Sequence, residues 1–344
     1  MEYYNTMESH PIIKKSRDYI LNKKLLSVHS GDRDISKWKN SNEFEITLPE
    51  NIKNVESIKL NSISISNKTP VFSTLFQNNK FQFKFSSGTE TKVVELDEGT
   101  YTMDQLTTSI ENKMNLNDSS GFKCKYNDVT GKLWFGHESK EFNLLFDNKQ
   151  NYKITNLNTK IMHDKEYKWG LPAFLGYKKE TYTSKSSTNN KTFSHETTPW
   201  LNISATGSPC NFIDIETDYD VDMVDTSPYD TIYMEIEKYN SLDEISEYSK
   251  HNSMNRDKDY NGKVNSAFAK IPLINNHYTL LSKSNSNNAS YHSPPIENLS
   301  KLKFKFRYHN GLPINLKNIQ FSFIIEFSIL TNEYHNPSIV RKLF

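Results

Sequence analysis

The chain has 344 residues, a length that allows one large β domain or two of ordinary size. Hydrophobic residues make up only 35%, but 20 Phe, 19 Tyr and 4 Trp supply large buried area per side chain, so aromatics must carry the packing. Lys and Arg number 42 against 41 Asp and Glu, a formal net charge of +1, which gives no field to steer the chain onto nucleic acid or an anionic membrane.

Only 5 of the basic residues are Arg, the side chain whose fork reads guanine, so sequence-specific nucleic-acid recognition is not expected. The 39 Asn and 37 Lys are the mark of an A/T-rich coding sequence. Cys124 and Cys210 are too few for a disulfide framework and are not spaced as a metal knuckle, which points to a reducing compartment. The first residues have no apolar stretch of signal-peptide type, and no window is apolar enough to span a membrane. Synthesis in cytoplasm and no transmembrane segment are the expectations.

In chain order, Ser16 to Leu26 places Tyr19, Ile20, Lys23, Lys24 and Leu26 where a short basic amphipathic helix would use them, an arm ahead of the main domain. Phe44, Ile46 and Leu48 alternate with polar residues until Pro49, and Val55, Ile58, Leu60, Ile63 and Ile65 follow, which predicts two strands. Gln77 to Phe85 and Val93 to Leu96 read as a hairpin around Ser86 to Gly88. Thr102 to Met114 is the strong helical window, with Leu106, Ile110 and Met114 four apart behind Thr102 as N-cap. Phe122 to Tyr126 and Leu133 to Phe135 make a second hairpin with Gly131 in a left-handed position, and Phe142 to Phe146 is a further strand.

Thr181 to Thr198 is rich in Ser, Thr, Asn and Lys and reads as a surface loop between two apolar halves. Later strands are expected at Trp200 to Ser204, Phe212 to Ile215, Thr231 to Ile236, Phe268 to Pro272, Leu302 to Tyr308 and Ile319 to Leu330. Polar loops fill Leu242 to Lys263 and Ser282 to Ser293. The fold class is therefore mostly β, an antiparallel jelly-roll β-sandwich, one elaborated or two tandem, with one short helix near 102–114 and an N-terminal helical arm. The expected organisation is an arm at 1–26, a first β region at 27–180, a polar loop at 181–198, a second β region at 199–332 and a tail at 333–344.

The search for chemistry finds no HExxH, GxSxG or GxxxxGK[ST] pattern, and the ten His are dispersed. Asp218-Tyr219-Asp220-Val221-Asp222 has the carboxylates of a cation loop, but Met223 and Tyr229 stand where an EF-hand needs Gly and Glu. On a strand these three Asp would share one solvent face. Asp32-Arg33-Asp34 reads as a salt-bridged turn ahead of the first β segment, and Cys210 as a small buried hydrophobe rather than a nucleophile. A carbohydrate-active sandwich would need two carboxylates set for acid and base work, and Glu235 and Glu237 lie on one face of a strand, although such neighbours are usually just solvated. No catalytic, cofactor-binding or metal residue is assigned, and no cofactor is expected.

Several stretches, in order, resemble the minor capsid and related virion structural proteins of the nucleocytoplasmic large DNA viruses. They are the turn His29-Ser30-Gly31-Asp32-Arg33-Asp34, the strand Phe44-Glu45-Ile46-Thr47-Leu48-Pro49 and Asn54-Val55-Glu56-Ser57-Ile58-Lys59-Leu60. Gly99-Thr100-Tyr101-Thr102-Met103-Asp104-Gln105-Leu106 follows, then Leu175-Gly176-Tyr177, with Tyr where that family has Phe. Ala267 to Leu273, Pro294-Pro295, Leu299 to Phe306, Asn310-Gly311 and Phe321 to Glu326 complete the series. The resemblance implies a non-enzymatic, jelly-roll-rich capsid protein of the virion, partnered by the major capsid protein and other minor capsid proteins, with a homo-oligomer as a further option. A penton, vertex or receptor-binding protein is the alternative within the same class, and a carbohydrate-binding or carbohydrate-active β-sandwich lies further off.

Overall fold

The structure is a computed structural model that describes residues 19–117, 120–148, 168–244, 265–281, 289–316 and 319–332. The chain divides into two units, but not at the polar loop 181–198. The second unit is Thr69–Asp230, inserted into the first, whose described parts lie in 19–68, 231–244 and 265–332. The arm residues 1–18 and the tail 333–344 fall outside the described residues.

The first unit begins with β1 (Tyr19–His29) and β2 (Glu43–Ser66). The expected helix over 16–26 is replaced by a strand from Tyr19 on. A lone helix of this length is marginal in water, whereas β1 gains a full antiparallel ladder with the last strand of the unit, from Tyr19 opposite Asn332 to His29 opposite Ser322. Leu26 and Val28 then turn inward while Leu21, Lys23 and Leu25 face out. The two strands expected on either side of Pro49 are one strand of 24 residues.

The second unit carries β3 (Lys80–Phe85), β4 (Lys92–Glu95), α1 (Met103–Leu116), β5 (Phe122–Asn127), β6 (Lys132–His137), β7 (Phe142–Leu145), the short α2 (Leu171–Phe174), β8 (Thr181–Thr183), β9 (Lys185–Ser187) and β10 (Cys210–Phe212). These make two four-stranded antiparallel sheets, β4-β3-β7-β8 and β5-β6-β10-β9. Consecutive strands stay paired within one sheet before the chain changes to the other. That order gives alternating hairpins rather than the Greek keys of a jelly roll.

The sheets meet through aromatic edges: Phe81 lies 6.0 Å from Phe135 and 5.5 Å from Phe146, and Phe83 lies 5.1 Å from Phe122. Helix α1 buries Leu106, Ile110 and Met114 on this core, and its start is fixed by a capping box between Thr102 and Gln105. Gly131 takes the expected left-handed conformation, φ +69°.

The polar stretch 181–198 is no simple loop. It contributes β8 and β9 and sends Phe193 beneath the sheet face opposite the main core, where Phe193 and Trp200 pack on Trp134 at 5.7 and 6.0 Å. Trp200 to Ser204 therefore forms no strand and makes only a bridge from Leu201 to Lys191.

The chain returns to the first unit with β11 (Thr231–Ile236), β12 (Leu242–Glu244), β13 (Asn265–Ala267), β14 (Ala269–Ile274), β15 (His277–Leu281), β16 (Ala289–Arg307) and β17 (Ser322–Asn332). The ends of the two expected polar loops, Leu242–Glu244 and Ala289 to Ser293, are thus strand; 245–263 and 282–288 lie outside the described residues. The order β1-β17-β2-β15-β14-β11-β16 is joined by a further β2–β16 pairing, so β2, β15, β14, β11 and β16 form a closed circuit with β17 and β1 attached. Phe44, Phe304, Phe306, Phe321 and Phe323 fill it, with ring separations from 4.9 Å for Phe304–Phe323 to 6.5 Å for Phe44–Phe321.

Pro49 is tolerated because it sits in a bulge: Thr47 faces Lys301 and Ile52 faces Leu299, leaving the residues between unpaired on the β2 side. A second bulge on β16 between Tyr291 and Ile296, which holds Pro294 and Pro295, offsets the first. The register at Tyr291–Ser57 is restored at Lys301–Thr47.

Two substitutions in the second unit test this account by urea unfolding followed through Trp134, Trp169 and Trp200. Phe81→Ala removes a fully buried ring and is expected to cost about 3–5 kcal/mol. Thr102→Ala removes only the cap of α1 and is expected to cost about 1 kcal/mol.

Candidate functional site

The turn after β1 shows what the first resembling stretch does. Arg33 is buried, and its guanidinium donates to the carbonyls of Ser30 (2.6 Å), Trp38 (2.9 Å) and Lys39 (3.1 Å) and to Gln320 Oε1 (3.0 Å). Ser30 Oγ in turn donates to Gln320 Oε1 and accepts from the Phe321 amide, each at 2.9 Å. The fork of Arg33 thus ties the turn to the segment that leads into β17. The expected salt bridge with Asp32 or Asp34 is not what holds it. Asp34 accepts from the Ser36 hydroxyl and from the amides of Ser36 and Lys37, and the Ser36 hydroxyl, first of these, holds its carboxyl below the usual value.

The second unit treats its resembling stretches the same way. Gly99 and Phe72 exchange both backbone hydrogen bonds, and the Tyr101 hydroxyl donates to the Asp97 carbonyl. Gly176 has φ +86°, and a Cβ there would stand 2.1 Å from the Asp222 carbonyl oxygen, so only glycine fits this crossing. The Tyr177 hydroxyl donates to the Leu133 carbonyl at 2.7 Å, and burial pushes its pKa far up. A recess of about 420 Å³ beside Gly176 holds Lys168, Lys178 and Lys179. Lys168 pairs with Asp225 at 2.8 Å, Lys178 pairs with Asp220, and Lys179 lies over the Trp169 ring, so the recess presents compensated charge.

The candidate catalytic and metal residues do not converge. Asp218, Asp220 and Asp222 lie in a loop rather than on one strand face: Asp218 shares Lys185 with Asp214, Asp220 takes Lys178, and the Asp222 amide bonds the Gly176 carbonyl. Among the described residues no three His, Cys, Asp or Glu side chains are placed to hold a metal ion. Cys210 is buried in β10, and burial raises its thiol pKa; burial and then Glu111 push Cys124 well above the ordinary value. Glu235 pairs with Arg307, itself stacked on Tyr233, and Glu237 lies 3.9 Å from Lys303. His137 is buried, its Nδ1 accepting from the Ser139 and Lys140 amides at 3.0 Å each and its ring set on Phe122.

What sequence reasoning missed is a surface rather than a cluster. Among the described residues, strand β1 pairs only with β17 and ends the sheet, and its outward face carries Leu21 at 49% and Leu25 at 58% exposure around Lys23. The alternation that marks it was in the sequence, hidden by two adjacent lysines that read as the polar side of a helix.

Two solution measurements follow from these environments. Both thiols are protonated at pH 8 and enclosed, so a disulfide-exchange reagent is expected to label neither in the folded chain and both after unfolding. Burial alone would raise the Asp214 carboxyl, but hydrogen bonds from Thr217 and Lys185 outweigh it and hold it below 3.8. A lowered folded pKa contributes stability that is complete above 3.8 and lost as the pH falls through the folded value. Asp214→Asn is expected to cost about 1.5 kcal/mol at neutral pH, the deficit closing on acidification, as read by urea unfolding across that range.

No family model matches the chain, and none of the curated proteins does. Among solved structures, the chain is similar to the mavirus penton protein at 10% identity, over 91% of this chain and 100% of that one, with a TM-score of 0.40. It is also similar to a chain of the Sputnik virophage structure at 11% identity, over 89% of this chain and 97% of that one, with a TM-score of 0.34. At these scores neither structure lends this chain its fold or its role.

Proposed function

We propose that the chain is a non-enzymatic structural component of a large DNA virus capsid, a minor capsid protein that contacts major capsid capsomers and other minor capsid proteins in the virion. What carries the reading is that the residues through which the sequence resembles such proteins are the ones that hold the β units in shape. Arg33 ties its turn to the start of β17, Thr102 and Gln105 cap α1, Gly176 and Tyr177 fix a backbone crossing, and Gly311 turns the chain with φ +81°. The stretches shared with that family thus have a physical reason to recur in order. Each unit pairs a rigid, aromatic-filled interior with charge that is largely compensated at the surface, which suits a protein that works by contact. The carbohydrate-active reading loses its carboxylate pair, since Glu235 is engaged by Arg307.

The test is quantitative mass spectrometry of purified virions, with the copy number of this chain measured against the major capsid protein. Hundreds of copies are expected for a component spread across the facets. A few tens would assign it to the five-fold vertices instead, and absence from virions overturns the capsid reading.

A further inference from the structure

We propose that β1 is a dimerisation edge, to which a second copy of this chain adds its own β1, antiparallel, about a two-fold axis through Leu25. The inference does not depend on the capsid reading. Its basis is the contrast between two of the edges that the described residues leave open in the first unit. Along Ala289 to Leu299, β16 pairs with β2 alone among the described residues, but there Pro294 and Pro295 remove backbone donors and the strand bulges. That edge is blunted. Strand β1 has neither device: its eleven residues run in unbroken register with β17, and it contains no proline.

Lysines on an edge ordinarily keep it in water, yet both lysines of β1 are already engaged by its own sheet. Lys23 lies 2.7 Å from Glu326 on β17, and Lys24 pairs with Glu50 on β2. On either side of them, Leu21 and Leu25 stand on the outward face, about half exposed.

Symmetry and charge then select one register. A two-fold axis normal to the sheet keeps every side chain on its own face, so the axis must pass through a residue that meets itself. The three longest overlaps centre on Lys23, Lys24 or Leu25. The first two set an ammonium group directly against its copy, which is destabilising in a cross-strand pair. The third sets Leu25 against Leu25, Lys23 against Ser27, Lys24 against Leu26 and Leu21 against His29, with pairing over residues 21–29 of both copies. Each Lys23 keeps its own Glu326 beside it, and no like charges oppose. The result is one continuous antiparallel sheet running β2-β17-β1 into its symmetry mate.

The experiment uses the full chain and light scattering after size exclusion, at tens of micromolar. The wild-type protein is expected at twice 40.1 kDa. Leu25→Lys and Leu25→Glu, each at an exposed position, are expected to run as monomers with an unchanged near-ultraviolet circular dichroism spectrum. Mixed in equal amounts they are expected to return to the dimer mass, since Lys then opposes Glu at the axis. A monomeric wild type, a dimeric single variant, or a mixture that stays monomeric overturns the proposal. None of these outcomes bears on the copy number in virions, so the two readings fail separately.

Discussion

A strand of 24 residues presents more backbone hydrogen-bonding groups than one neighbour can satisfy, and the first unit is organised around meeting that demand for β2. Residues Val55 to Lys59 pair with β16 and β17 at once, so those two strands lie on opposite edges. Ser62 and Ser64 pair with β15 and β17 in the same way, which puts β15 on the edge that β16 occupies further along. Two strands in succession on one edge, linked to each other through β11 and β14, are what close the circuit. The bulges at Pro49 and at Pro294 and Pro295 let β2 and β16 stay together over their full length, because each cancels the register error of the other.

Rings share the packing with buried Ile, Leu and Val in both units. Edge-to-face contacts link Phe81 to Phe135, and Phe83 and Phe142 to Phe122, in one unit, and Phe304, Phe306 and Phe323 in the other. Such pairs add about 0.5–1.5 kcal/mol each beyond their buried area. The polar loops add to this packing: Phe193 and Trp200 shield Trp134, so the sheet β5-β6-β10-β9 is covered on both faces.

How much of this was legible depends on the range of the signal. Local signals were read well: the capping box of α1, the Gly131 hairpin and the alternation in β3, β5 and β11 are written within a few residues of where they act. Pro49 misled because its tolerance depends on an opposing bulge in β16, in the last sixth of the chain. The helical reading of Ser16 to Leu26 failed for a similar reason, since what makes β1 a strand is β17, at the other end of the sequence. The Asp218 to Asp222 run could not be placed because its lysine partners, Lys178 and Lys185, come from neighbouring loops and strands that only the fold brings near. The alternating hairpins of the second unit were not legible, because periodicity does not encode connectivity.

The nesting of one unit inside the other has a consequence for biosynthesis. A ribosome delivers Thr69–Asp230 as one uninterrupted stretch, so the inner sandwich can settle while the rest of the polypeptide is still being made. The outer unit has no such option: β1 and most of β2 must wait, unpaired and apolar, until β16 and β17 leave the exit tunnel. Its contacts join the two ends of the chain, the arrangement that slows folding most. The nascent polypeptide therefore carries an unprotected strand through most of translation, and the yield of native protein is set by how well that interval is shielded from association.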